Sequence, residues 1–398
     1  MPPTMSIIRD VFRDRDERVR AVGIWSAVSA GGAAVGPLVG GFLVEHFWWG
    51  AVFLINVPIS LFIIPVALRL LPESRAAKPP PWDGLAVLLT VIGILGLAFG
   101  FKEGARYGFD DPLILLSLAA GFACLFWFTR RQLRAPQPLL NVRLFGRREF
   151  SAAVGCVLLS MFGLVGIEFF GAQYLQLVLG LGPFDAALRL LPLMVSALAG
   201  GLLAARILGL LGTRWTISLG LAGTGLGLVP MLALGLSDQY YLLWPSFLVI
   251  GFTLEVALVA ANDVIISSVP ADEAGQAAAI EETAYELGGG FGVAVLGSIL
   301  AIVYTTGIGT VQGVSEVGIA NAEESLARAL EVAGRMSATV GDPLVETARL
   351  AFMYGYHTAI AVSIALVGVS AMTAAVLLRP RRRVDRVGDD QRPEASSG

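Results

Sequence analysis

Cysteine and histidine are nearly absent from this sequence, with two of each in 398 residues. Cys124 and Cys156 both fall inside apolar runs, so neither a disulfide framework nor a thiolate metal site is indicated. His46 and His357 lie far apart in sequence, too few for a histidine-based catalytic dyad or metal cluster. Charge is scarce as well: Asp, Glu, Lys and Arg make up 15% of the chain, against about 25% in soluble domains. No Walker-type glycine loop and no HExxH segment occurs, so no enzyme signature or cofactor is indicated. The basic residues do not interleave with exposed aromatics, which argues against nucleic-acid binding. The opening MPPTMSIIRDVFRDRDERVR has no basic region followed by an apolar core, so it is not a signal peptide. Met1 to Val11 reads instead as the last turns of a span that leads into a basic loop.

What remains is apolar residues and glycine. Mean hydropathy is +0.73, and Gly accounts for 47 residues, as where membrane helices pack closely. Long apolar runs alternate with short polar links. A bilayer span needs about 20 mostly apolar residues. Ten segments meet that length: about 20–44, 48–71, 83–101, 112–129, 150–179, 184–208, 214–235, 241–261, 276–306 and 350–379. The expected fold class is all-α integral membrane, a bundle of about ten transmembrane helices in a lipid bilayer. An even number of spans places both termini on one side. That side and its flanks hold 22 of the 28 Lys and Arg residues. The bias of positive residues toward cytoplasmic loops then puts both termini in the cytoplasm.

One span does not fit a purely structural role. Gln276 to Tyr304, QAAAIEETAYELGGGFGVAVLGSILAIVY, carries Glu281, Glu282 and Glu286. A charged carboxylate at the centre of a span costs roughly 2.5–3.5 kcal/mol on insertion scales, while each Leu, Ile or Val returns about 0.3–0.6. Intramembrane acids therefore mark function by default. Glu282 and Glu286 lie one turn apart on one face, with Glu281 to the side. Gly290, Val293 and Gly297 continue roughly the same stripe. Counted from Gln276, the acids sit about 8–15 Å above that end at 1.5 Å per residue. Two like charges one turn apart repel, and a proton or a bound cation relieves the repulsion. The bland alternative is that some of these acids, Glu281 foremost, simply reach the headgroup level.

Other spans carry weaker signals. Glu255 in the eighth span lies at a depth similar to Glu282 and Glu286, so three acids line one cavity if spans eight and nine are neighbours. Glu168 stands in the outer half of span five, near Gln173, Tyr174 and Gln176. Asp185 and Arg189 are spaced i, i+4 for a local ion pair. Asn262 and Asp263 are expected to face water at the cytoplasmic end of span eight. In the first complete span, Gly32, Gly36 and Gly40 share a face that admits another backbone, and Pro37 favours a kink. Trp48 and Trp49 suit an interfacial aromatic belt. Residues 307–348 form one long outer loop, in which Ala322 to Met336 has the periodicity of a surface helix. The Pro-rich link Leu71 to Asp83 and the arginine-rich 130–149 segment read as cytoplasmic joints, and the tail beyond residue 379 as disordered.

Gly32-Ala-Ala-Val-Gly36-Pro37-Leu-Val-Gly40-Gly41 resembles the antiporter motif of the major facilitator superfamily. With RAVGIW, FLINVP and the Glu281-Glu-Thr-Ala-Tyr-Glu286-Leu-Gly288 segment, the chain is similar to the fourteen-span drug:proton antiporter branch, in particular to quaternary-ammonium multidrug exporters of the QacA and SmvA type. The resemblance implies proton-coupled efflux of lipophilic cations across the inner membrane. It implies Glu282 and Glu286 as substrate- and proton-binding residues, with Glu281, Glu255 and Glu168 as partners, and Gly32, Gly36, Pro37, Gly40 and Gly41 as a structural motif. It also implies that four spans are missing ahead of the first complete one. Residues 1–71 are then a remnant of an N-terminal bundle, 72–149 two linker spans, 150–379 a complete C-terminal six-helix bundle, and 380–398 a cytoplasmic tail. The alternatives are a truncated fragment that inserts but moves nothing, a solute importer or an exporter of a native lipid or metabolite and, least compatible with two histidines, a membrane-embedded enzyme.

Overall fold

The structure is a computed structural model, and it describes residues 11, 15–70, 83–108, 110–136, 138, 140–270 and 273–378. The expectation for Met1 to Val11, save its last residue, and those for most of the Leu71–Asp83 link and for the tail 380–398 lie outside the described residues. All the regular structure among the described residues is helical. The helices are α1 (Arg15–His46), α2 (Ala51–Leu70), α3 (Gly84–Tyr107), α4 (Pro112–Arg134), α5 (Arg148–Gln173), α6 (Pro183–Leu228), α7 (Tyr240–Ser267), α8 (Ala274–Ile308), α9 (Glu316–Glu324), α10 (Leu326–Ala333) and α11 (Ala338–Leu377). Helices suit this sequence because a bilayer offers backbone amides no water, so each must bond within its own segment.

Among the described residues, eight stretches are long and apolar enough to cross a membrane. One of them, Pro183–Ala233, holds two of the predicted spans. It is broken at Gly212, where φ 75° and ψ 162° depart from the helix, a conformation open to glycine because it lacks Cβ. The break falls between the spans expected at 184–208 and 214–235. α1, 32 residues long with Pro37 inside, covers the span expected at 20–44.

Helices α5 to α8 and α11 form the packed body. α6 lies along α7, and α5, α8 and α11 each pack against the other two. Glycines set these separations. A Cβ on Gly288 would press into the Leu158 carbonyl of α5, and one on Gly292 into the Phe162 carbonyl. The interior divides into two apolar clusters. One runs through Ile167, Leu193, Ile250, Leu296 and Ile360. The other runs through Met161, Ile217, Leu254, Ala284 and Val367. α3 and α4 make a tight hairpin in which Gly96 meets Ser117 and Gly121, and α3 rests on α8.

α1 packs against α6. A Cβ on Gly41 would stand 2.8 Å from the Pro183 carbonyl oxygen. Gly182, the residue ahead of α6, offers no side-chain cap, and Glu45 of α1 accepts from the Phe184 amide at 3.0 Å instead. A carboxylate there also complements the positive end of the α6 dipole. No described residue of α2 is buried, and its apolar side chains are exposed, Phe62 and Leu68 among the most.

Several expectations are corrected. The Ala322–Met336 stretch is two helices, because Ser325 is extended (φ −172°) and its hydroxyl caps α10 by accepting from the Arg328 amide. The long loop ends earlier than residue 348, since α11 begins at Ala338 and takes in Pro343 without breaking. The loop also packs down: Tyr304 Oη donates to the Ala322 carbonyl at 2.8 Å, and Ala322 and Ala329 are buried. Arg189 bonds Asp238 through both terminal nitrogens at 2.6 Å rather than pairing with Asp185. Its guanidinium also lies 5.0 Å from the Tyr240 ring centre. A fork-shaped donor set matches a carboxylate edge-on, and tertiary folding brings Asp238 into that position. The hydrogen bonds from Arg189 hold the Asp238 carboxyl below its ordinary range.

Candidate functional site: an acidic face on α8

The expected acids come together on α8 and its neighbours. α8 starts at Ala274, so Glu282 and Glu286 stand about 12 and 18 Å along it at 1.5 Å per residue. Glu255 stands about 18 Å from the Ser267 end of α7 by the same measure, on a helix that touches α8. Glu255 and Glu286 thus share a depth, at the seam between the two apolar clusters. Glu168 of α5 lies higher. Glu286 and Glu168 present exposed surface, and Glu282 and Glu255 are half-buried.

Tyr285 ties these positions together. Its phenol lies within electrostatic reach of Glu168, Glu255, Glu286 and Glu282, and 45% of its surface is exposed. Residues 282, 285, 286 and 289 share one helical face. About a quarter-turn round the helix, Gly288 and Gly292 seat α8 on α5, and Gly289 at the edge of the acidic face meets Val165 of α5. Small residues and acids thus occupy neighbouring faces of this helix, as its sequence dictates. Glu255 needs its own gap: a Cβ on Gly201 of α6 would lie 3.7 Å from a Glu255 carboxylate oxygen, so α6 is thin where that carboxylate passes.

Glu281 points elsewhere. Both its oxygens accept from Asn262 Nδ2 of α7, at 2.9 and 2.8 Å. This corrects the expectation that Asn262 only faces water, and it makes Glu281 a clasp between α7 and α8. Sequence reasoning missed both Asn262 and Tyr285. The helical period would have placed Tyr285 on the acidic face, but no local signal pairs residue 262 with residue 281.

The glycine motif is placed less compactly. Among the described residues, nothing lies within 4 Å of where a Cβ would stand on Gly32, Gly36 or Gly40. Gly41 alone of the four meets a neighbouring helix, and Pro37 is half-exposed.

The face can do three things chemically. Carboxylates grouped in this way can attract a cation, can exchange it for a proton, and leave a phenol ring free to contact a cation's apolar surface. Cations bind aromatic faces with about 0.5–2 kcal/mol. No His, Cys, Asp and Glu group among the described residues is arranged to hold a metal ion.

Comparison with known proteins adds the family. The profile of the Major Facilitator Superfamily matches residues 1–293. The chain is 36% identical over 361 residues to the methyl viologen resistance protein SmvA of Salmonella typhimurium, a match covering 90% of this chain and 73% of that one. It is 35% identical over 379 residues to the multidrug efflux pump LfrA of Mycolicibacterium smegmatis, covering 95% and 75%. The tetracenomycin C resistance and export protein of Streptomyces glaucescens is 32% identical over 301 residues, covering 75% and 56%.

Proposed function

This chain belongs to the Major Facilitator Superfamily, and from that membership we propose that it exports lipophilic and quaternary-ammonium cations across the inner membrane in exchange for protons. It is a multi-pass membrane protein of a transporter family, and its relatives are drug-resistance and efflux proteins. The observation that carries the reading is the α8 face, where Glu282, Tyr285 and Glu286 stand together with Glu255 and Glu168 in reach of the same phenol. Methyl viologen, in the name of one relative, is a bis-quaternary dication, and a multi-carboxylate face suits such a charge.

The mechanism is competition. Glu282 and Glu286, free of protons, hold the cation by charge, and Tyr285 contacts its apolar body. A proton arriving from outside neutralises a carboxylate, the Coulomb attraction drops, and the cation leaves. Glu281 holds α7 to α8 through Asn262 and serves the geometry rather than the cargo. Both termini lie in the cytoplasm on this reading, with residues 150–379 as the six-helix half of the transporter.

Dye efflux tests it. Exporter-deficient cells making the full chain, with its membrane level checked, are expected to expel a fluorescent lipophilic cation, and an uncoupler should abolish the efflux. Replacing Glu286 by Gln is expected to weaken dication efflux more than monocation efflux. At about 7 Å and an effective dielectric of 20–40, each ligand charge loses roughly 1–2 kcal/mol, and a dication loses twice that. Equal losses for the two ligand classes would remove Glu286 from the site. No efflux from well-inserted protein would overturn the transport reading for this chain.

A further inference from the structure

The α3–α4 hairpin carries a second recognition feature, far from the acidic face. A 580 Å³ pocket opens where α3 begins and α4 ends, within the roughly 300–1,000 Å³ range of small-molecule sites. Its apolar wall comes from Leu85 and Leu89 of α3 and from Phe126 and Trp127 of α4. Its rim is cationic, with Arg130, Arg131 and Arg134. Arg131 is already matched, since its Nε donates to Asp83 at 2.8 Å. That ion pair ties the start of α3 to the end of α4 and leaves Arg131 little net charge to offer. Arg130 and Arg134 are exposed and have no hydrogen-bond or ion-pair partner among the described residues.

The layout is vertical. Trp127, Arg130 and Arg134 follow one another at helical spacing along one side of α4, so two unmatched positive charges stand directly beyond an aromatic and aliphatic wall. A soluble anion would satisfy the arginines but gain nothing from the wall. An uncharged lipid would fill the wall but leave the arginines unmatched. Only an amphiphile with an anionic head and an apolar body complements both halves. α3 and α4 are themselves long and apolar enough to cross a bilayer, which places the pocket where such molecules are concentrated.

We propose that this pocket is a binding site for an anionic phospholipid, with the headgroup phosphate held by Arg130 and Arg134 and an acyl chain lying along Leu85, Leu89 and Trp127. The inference is independent of the transport reading.

Trp127 supplies the readout. The full-length protein would be reconstituted in vesicles containing tail-brominated phosphatidylglycerol or tail-brominated phosphatidylcholine at equal mole fraction. The Trp127 contribution to quenching is the difference from Trp127→Phe. Phosphatidylglycerol is expected to quench Trp127 several-fold more effectively. Arg130→Gln with Arg134→Gln should erase that preference, each arginine being worth roughly fivefold in affinity for an anionic lipid. The paired Lys variant should keep most of it, which separates loss of charge from loss of fold. Arg206→Gln changes an exposed arginine away from the pocket and should keep it all. Equal quenching by the two lipids in the unaltered protein would overturn the proposal. So would a preference that survives the double Gln change, or one that Arg206→Gln also erases, since the effect would then belong to the basic surface in general.

Discussion

At the residue scale, two aromatic and acidic positions carry testable weight. Tyr285 stands among four glutamates with much of its ring exposed. Tyr285→Leu keeps an apolar side chain and removes the π face, so it is expected to weaken quaternary-ammonium binding by roughly 0.5–2 kcal/mol. Tyr285→Phe should lose much less. Dye-binding titrations of the purified protein compare the two, and equal losses would transfer the role from the ring to the hydroxyl. Asp238 gives a pH prediction outside the spans. Its folded-state pKa is depressed by Arg189, so its stabilising contribution is present at neutral pH. That contribution is lost as pH falls from the ordinary carboxylate range down through the lower folded-state value. The pair is partly exposed, with side-chain accessibilities of 23% and 50%, which limits it to about 1 kcal/mol or less. Melting curves of Asp238→Asn should therefore show a smaller decline on acidification than the parent.

At the element scale, helix contact is set by glycines that face carbonyl groups. A Cβ at Gly292 has nowhere to go, since the Phe162 backbone of α5 occupies the space. Gly292→Ala is expected to separate α8 from α5 and cost about 1–3 kcal/mol, as overpacking does. Gly290, two residues earlier, faces open space. Gly290→Ala should instead be neutral or mildly stabilising, because alanine restricts the unfolded chain. Thermal unfolding in one detergent ranks the two. A similar loss for both would mean that general helix flexibility, not close approach, fixes this interface. The periodicity of α8 reveals which residues share a face, but glycine spacing alone does not say which face meets a neighbour.

At the scale of the whole molecule, α1 touches the body along one side and leaves its glycine stripe open. Gly41 is pressed against the start of α6, while Gly32, Gly36 and Gly40 meet nothing among the described residues. Gly41→Leu should therefore lower the melting temperature, and Gly36→Leu should leave it unchanged. If Gly36→Leu destabilises the purified chain as much as Gly41→Leu does, another backbone covers that stripe. The clasp between Glu45 and the Phe184 amide belongs to the same interface. It crosses 139 residues of sequence, a separation at which no local pattern can link a carboxylate to the helix end it caps.

Apolar run length and the scarcity of charge determined the membrane-helical class, the approximate spans and the exceptional standing of Glu282 and Glu286. These follow from the sequence because bilayer thickness and backbone hydrogen bonding act on each segment separately. The helical period likewise put those two acids on one face. Tertiary structure decided the rest. It turned Glu281 toward Asn262, matched Arg189 to Asp238 in place of Asp185, and set Tyr285 among acids from three helices. It also split the outer segment at Ser325 and left two arginines of α4 unmatched above an apolar wall. Apart from the local cap at Ser325, each of these depends on which helices become neighbours and at what height. That is settled by side-chain packing and by close glycine contacts between segments remote in the chain, and no single segment contains the information.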